Sequence, residues 1–257
     1  VNNSNSEWKV ETVTSYMNIS SKYRDKTMYP NTNYYSIDIN PSIKNVHSIE
    51  IIRGCIPKGE YTVNENNNIL IIKKGDIQYK LQLSMGDYDI ITYIIMLNEL
   101  LSPLNITAIY NSLLSKINFT TMDIDIITFY LNEDNSPYIE LGFDKKETTW
   151  TNSIRSTNRV DLFGVQELEI RCKNLSTNNI LDIILFKQGI DVIDFDYNRT
   201  VKRYIEPHQE FCQITLEFYN KRYKKLYNFN GLENSLFMAF NSYKYTLPTL
   251  IPELKAS

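Results

Sequence analysis

The chain has 257 residues, a formal net charge of −3 and 42% hydrophobic residues, enough to bury a sizeable core in one large domain or two small ones. It holds 33 Ile, 29 Asn and 19 Tyr but only 3 Ala and 8 Gly. Ala leads the helix scale while Ile and Tyr favour strands, so a helical bundle is excluded, and Gly this scarce argues against phosphate-cradling loops.

Residues 1–32 read as a polar N-terminal arm, with a short alternation at Trp8, Val10 and Thr12. Tyr35, Ile37 and Ile39 alternate as a half-buried strand ended by Pro41, and 45–56 form a second strand ended by Pro57. Ile69–Ile72 and Ile77–Leu83 flank a Lys74-Gly75-Asp76 turn and predict a hairpin. One helix is expected in 87–103: Ile91, Ile94, Ile95, Met96 and Leu101 fall mostly at helical spacing, Asp87 or Asp89 caps the start and Pro103 stops it. Strand patterns resume at 105–110, 115–120, 124–131 and 138–143.

Residues 144–159 are polar and aperiodic and read as the main internal boundary. Beyond them, 165–172, 180–186, 190–195, 200–205, 211–219 and 236–240 read as short strands separated by turn signals, the pattern of a β-sandwich or barrel. The expected organisation is an arm at 1–32, a β domain made of 33–59 and 144–245, an inserted α+β segment at 60–143 that holds the one helix, and a C-terminal arm at 246–257. The fold class is mainly β.

The residues that carry chemistry are few. A charge of −3 and one basic cluster, Lys221, Arg222, Lys224 and Lys225, do not match the clustered cations of a nucleic-acid binder, and the cluster reads as a solvated turn or strand edge. Cys55, Cys172 and Cys212 are widely spaced in apolar runs and read as buried free thiols in a reducing compartment. His47 lies in an alternating strand and His208 follows Pro207 in a turn, and neither sits beside a nucleophile signature. Asp123 and Asp125 alternate with Ile, so both are expected on one face of a strand; Asp191, Asp194 and Asp196 form a second acidic group. Paired carboxylates serve glycoside hydrolysis or calcium binding, but the calcium-loop spacing is missing, and a solvated strand face is the plainer reading. The Asn-x-Ser/Thr triplets at Asn105 and Asn118 are expected by chance in an Asn-rich chain. No run reaches membrane-spanning length, and the absence of an initiator Met implies that a residue or a leader has been removed. No catalytic, cofactor-binding or metal-ligating residue is assigned.

Three stretches carry a resemblance. In the first, Arg24, Asp25, Tyr29, Pro30, Asn31 and Tyr35 precede Lys44, Asn45, Val46, Ser48, Ile49 and Glu50, then Ile56, Pro57 and Tyr61. In the middle come Gly86 and Tyr88, a helix ending in Leu97, Asn98 and Leu101, and Leu141-Gly142-Phe143. The last holds Asn158 to Gly164, then Tyr227, Phe229, Gly231, Leu232, Glu233 and Asn234. In this order the motifs resemble minor capsid and penton (vertex) proteins of virophages and large nucleocytoplasmic DNA viruses, although that family more often has Asp-His where this chain has Glu233 and Asn234. The resemblance covers roughly residues 20–243. It implies a jelly-roll β-sandwich with an inserted α+β segment, and a homopentamer at icosahedral five-fold vertices beside a double-jelly-roll major capsid protein. It further implies a virion location after assembly in the host cytoplasm, with no enzymatic activity, cofactor, nucleic-acid contact or membrane insertion. A jelly-roll carbohydrate-binding or host-attachment module is the alternative, and a glycosidase using Asp191 and Asp194 a third.

Overall fold

The computed structural model describes residues 9–175, 179–186, 191–196, 202–208 and 210–246. In chain order the elements begin with β1 (Lys9–Ser20), β2 (Tyr34–Ile43) and β3 (Val46–Pro57). Next come β4 (Ile69–Lys74), β5 (Ile77–Gln82), α1 (Ile90–Leu101), β6 (Ile106–Asn111), β7 (Lys116–Thr121), β8 (Ile127–Tyr130), β9 (Glu147–Trp150) and β10 (Ser153–Arg155). The chain closes with β11 (Glu167–Cys172), β12 (Ile180–Leu185), β13 (Val192–Asp196), β14 (Arg203–His208), β15 (Phe211–Asn220), β16 (Lys225–Leu226) and β17 (Ser235–Thr246). They form two compact units, one of residues 1–59 with 167–257 and one of residues 60–166.

The first unit is a sandwich of two antiparallel sheets. One runs β1-β17-β3, with β13 and β14 sharing the far edge of β3; the other runs β12-β11-β15, with β2 and β16 also on β15. If β13 and β14 count as one interrupted strand and the short β16 is set aside, the eight strands in chain order pair as 1-8-3-6 and 2-7-4-5, which is a jelly roll. Inward residues alternate along each strand: Ile49 and Ile51, Leu236, Met238 and Phe240, Leu168 and Ile170, and Ile214, Leu216 and Phe218 are all buried. Phe211 and Phe240 meet between the sheets with centroids 5.6 Å apart.

The second unit packs α1 with a three-stranded sheet β10-β7-β6 and a four-stranded sheet β5-β4-β8-β9 around Tyr93, Leu97, Phe119, Phe129, Phe143 and Trp150. Asp89 caps α1, accepting from Thr92 N at 2.8 Å in a capping box. Asp87 instead accepts from Thr62 N at 3.0 Å. The Asn98 side chain bonds both backbone groups of Ala108, at 2.7 and 3.0 Å, and so ties the helix to β6.

The structure departs from the expectations in several places. Residues 9–20 are not an arm: β1 pairs with β17 over its whole length, from Lys9 opposite Thr246 to Ser20 opposite Ser235. The strand at 236–240 is correspondingly longer, and of the two expected arms 1–8 and 247–257 lie outside the described residues. Pro41 does not end β2; it sits where the β15 pairing shifts register, a place where a missing N–H is tolerated. Residues 138–143 are turns rather than a strand, closed by Leu141 N to Pro137 O and Phe143 N to Tyr138 O, with Gly142 at φ +76. The expected boundary at 144–159 instead forms β9, which pairs with β8, and β10, which pairs with β7; both are sheet edges, where one face stays polar.

One buried cation closes the jelly roll. The Arg24 guanidinium, 6% exposed, donates to Tyr29 O at 2.8 Å, Ser21 O at 2.7 Å, Pro30 O at 3.1 Å and the Glu233 carboxylate at 2.9 and 3.1 Å. Ser21 Oγ also donates to Glu233. Asn234 completes the clasp: its Nδ2 donates to Thr32 O at 2.8 Å, its Oδ1 accepts from the buried Tyr35 hydroxyl at 2.8 Å, and its carbonyl accepts from Ser21 N at 3.0 Å. A second tie joins the same part of the chain to the end of β3. Gly59 N donates to Tyr227 Oη at 2.8 Å and Gly59 O accepts from Asn230 Nδ2 at 2.5 Å.

Replacing Arg24 with Ala strands three carbonyls and a carboxylate and should cost about 3 kcal/mol in urea unfolding; Lys, which lacks the planar fork, should rescue little of it. For Glu233, partial burial pushes the carboxyl up, but hydrogen bonds from Ser21 and Arg24 and the Arg24 charge outweigh it and hold the group below the usual carboxylate range. Its contribution is therefore present above the unfolded carboxylate pKa and lost as pH falls through the lower folded value. Thermal melts between pH 3 and 6 should show that loss in the native chain and a flatter curve for Glu233→Gln. A Cβ at Gly59 would lie 2.5 Å from the Phe229 carbonyl carbon, so Gly59→Ala should destabilise by about 1–3 kcal/mol, because backbone must move.

Candidate functional site

The pleat of β17 buries Leu236 and Met238 and turns Ser235 and Phe237 to the opposite face. On β3, Met238 pairs with Ile51 but Phe237 pairs with Arg53, so Ile52 is the extra residue of a β-bulge. The bulge resets the alternation. Ile49 and Ile51 point into the core, whereas Arg53 and Cys55 point outward beside Phe237 and Ser235. On the other side of β3, β13 sets Asp196 opposite Arg53 and Asp194 opposite Cys55. From β1 come Asn18, opposite Phe237, and Tyr16, one pleat further on the same face.

These side chains share a concavity of about 520 Å3 lined by Asn18, Arg53, Cys55, Asp194, Asp196 and Phe237. The Arg53 guanidinium carbon lies 4.8 Å from the Phe237 ring centroid, and Phe237 stacks on Tyr16 at 5.8 Å with planes 1° apart. Gly54 lets the Phe195 ring lie against β3, since a Cβ there would come 2.5 Å from it. Among the described residues, neither Asp194 nor Asp196 has an ion-pair partner, although Arg53 faces Asp196 across the ladder. Burial, and then the Asp194 carboxylate that accepts its hydrogen bond, push the Cys55 thiol up and away from nucleophile chemistry.

The rest of the candidate chemistry is dispersed. Asp123 and Asp125 do not share a strand face, because β8 begins only at Ile127. Asp123 pairs with Lys74 and accepts from Asn105 at 3.2 Å, and those bonds hold its carboxyl below the usual range; Asp125 lies against Gly75. Asp191 contributes its carbonyl to Lys58 N at 2.6 Å. His47 stacks on Tyr243 with centroids 4.0 Å apart, and its ring nitrogens are buried without a hydrogen-bond partner among the described residues. His208 is not in a turn; its backbone ends β14 opposite Val46. Lys221, Arg222 and Lys224 do lie in the turn after β15, with Lys221 paired to Glu167 at 3.0 Å and Lys224 at φ +55. Asn118 accepts from Arg155 at 2.9 Å. Cys172 is buried, its thiol pushed up to about 11 by burial, but Cys212 is exposed, contrary to expectation, because it faces away from the core between Phe211 and Ile214. Among the described residues no three His, Cys, Asp or Glu side chains converge on a metal position, and no helix is long and apolar enough to cross a membrane.

Sequence reasoning missed the charge array on the outer face of the second sheet. Arg171 bridges Glu169 at 2.5 Å and Glu217 at 3.2 Å and covers the Tyr219 ring at 3.5 Å, while Lys173 reaches Glu217 at 2.8 Å. That face neutralises itself. The face around Arg53 does not; the acidic group with Asp194 and Asp196 was the sequence signal for it, while Arg53 and Phe237 carried none.

No curated protein matches the chain. Among solved structures, the crystal structure of the selenomethionine-labelled mavirus penton protein is similar, with a TM-score of 0.46 and 12% identity over 92% of this chain and all of that one. The family model of a family of unknown function, DUF5901, matches residues 6–159, and the chain belongs to that family.

Proposed function

We propose that the chain is a structural protein of a viral capsid, of the penton type, rather than an enzyme. In this reading it forms a homopentamer at five-fold vertices, beside trimers of a double-jelly-roll major capsid protein. It resides in the virion after assembly in the host cytoplasm and neither binds nucleic acid nor enters a membrane. The observation that carries the reading is the clasp. Arg24, Tyr29, Pro30 and Tyr35, from the first stretch that resembles capsid proteins, meet Glu233 and Asn234 of the last stretch, which stand where that family more often has Asp-His, at one buried point. Jelly rolls are a sandwich that capsids use repeatedly.

The free edge supports it. β1 ends its sheet and carries exposed Val10, Val13 and Tyr16, while β17 adds exposed Tyr245 beside it. A twelve-residue edge strand with apolar side chains is a template for another chain. The edge on β13 and β14 is different in sequence, so contacts between unlike edges would be heterologous, the kind that builds a ring when the rotation between subunits closes.

Native mass spectrometry and class averages of the full chain should give a five-fold ring. Val10→Asp with Val13→Asp should leave the melting temperature within a few degrees and weaken ring assembly about tenfold or more, since both side chains are exposed. A three-fold object would overturn the vertex role. So would a chain that stays monomeric and is left out of particles when co-expressed with a double-jelly-roll capsid protein.

A further inference from the structure

We propose that the concavity around Arg53 on the outer face of the β1-β17-β3-β13 sheet is a binding site for a neutral carbohydrate. Such a site would serve this chain whether or not it builds a capsid. At about 520 Å3 the concavity has the size of a small-molecule site. Its polar groups are of mixed kind: two carboxylates, one guanidinium and one carboxamide from Asp194, Asp196, Arg53 and Asn18. Its aromatic lining is Phe195 and Phe237, and Tyr16, outside the lining, stacks on Phe237 with planes 1° apart.

Charge selects the ligand. Asp194 and Asp196 repel an anion, and Arg53, held over Phe237, offsets one of the two negative charges and sets donors beside the acceptors. A neutral ligand that offers hydroxyl donors to the carboxylates and hydroxyl acceptors to Arg53 and Asn18 satisfies both signs. The two carboxylates project from alternate residues of one strand, roughly 6.8 Å apart along it, close to the span of a sugar ring's outer hydroxyls. The Phe237 ring already carries Arg53 and stacks on Tyr16, so the C–H face of such a ring fits the exposed Tyr16 ring beside the site, and this combination of ring face and polar edge describes a hexose or N-acetylhexosamine better than a peptide.

The backbone is built to make the site. Without the bulge at Ile52, Arg53 would share the inward phase of Ile51, and without Gly54, Phe195 could not seat beside it. The self-neutralised face of the other sheet, with Arg171, Glu169 and Glu217, supplies the contrast.

The test uses the full chain on a printed array of natural glycans. The best free glycan is then titrated calorimetrically beside N-acetylglucosamine, sialic acid and a lysine-rich peptide. Saturable binding of a neutral glycan is expected. It should weaken about tenfold in Asp194→Asn with Asp196→Asn and in Phe237→Ala, and stay unchanged in Lys173→Ala on the opposite sheet. The carboxamide pair is exposed, so the fold should be retained even if Phe237→Ala misfolds; circular dichroism and melting confirm it. Absence of saturable glycan binding overturns the proposal, as does binding indifferent to these variants. Preference for sialic acid or for the cationic peptide overturns it too, the latter pointing to a basic segment as occupant.

Discussion

The jelly roll depends on one buried guanidinium. Arg24 is surrounded by acceptors from three directions: the turn that follows β1, the segment leading into β2, and the loop before β17. A buried cation is costly unless every donor is met, and here the carbonyls of Ser21, Tyr29 and Pro30 and the Glu233 carboxylate meet it. The demand is reciprocal. Those carbonyls lie in an irregular segment with no ladder partner of its own, and Arg24 supplies the missing donors. Glu233 and Asn234 then fix where β17 starts, so its register against both β1 and β3 follows from the same point.

Register, in turn, creates the polarity of the outer face. Once Leu236 and Met238 are set inward, Phe237 must point out, and the single extra residue at Ile52 brings Arg53 into phase with it. The two faces of the sandwich therefore differ in kind. One carries acids and bases that cancel within the sheet, and the other leaves two carboxylates and an aromatic strip open to solvent.

Much of this was legible where local chemistry decides. The alternation of Tyr35, Ile37 and Ile39, the Lys74-Gly75-Asp76 hairpin and the Asp89-capped helix follow from period and turn residues, and the structure has each. The jelly-roll order came from the motif series and not from periodicity. Edge strands misled the reading: β9 and β10 are polar on their open faces and so resemble a linker, and half of β1 is exposed on both faces and so resembles an arm. Residues 138–143 failed in the opposite sense, because Leu141 and Phe143 are apolar and buried yet sit in a turn. The outer-face site was legible only in Asp194 and Asp196: Ser48 to Ile51 alternates regularly, and nothing local marks Ile52 as the bulge that turns Arg53 outward. The Arg24–Glu233 pairing spans 209 residues, beyond any local pattern.

The clasp and the β1–β17 ladder also define a mechanical direction. The two strands pair from Lys9 with Thr246 at the open end to Ser20 with Ser235 at the Arg24 end. Tension that pulled Lys9 and Thr246 apart would unpeel the rungs one by one, each bearing the load alone, until it reached the guanidinium. The open end of the ladder is thus compliant and its root stiff, so the sheet can yield by a few residues under strain without opening its interior.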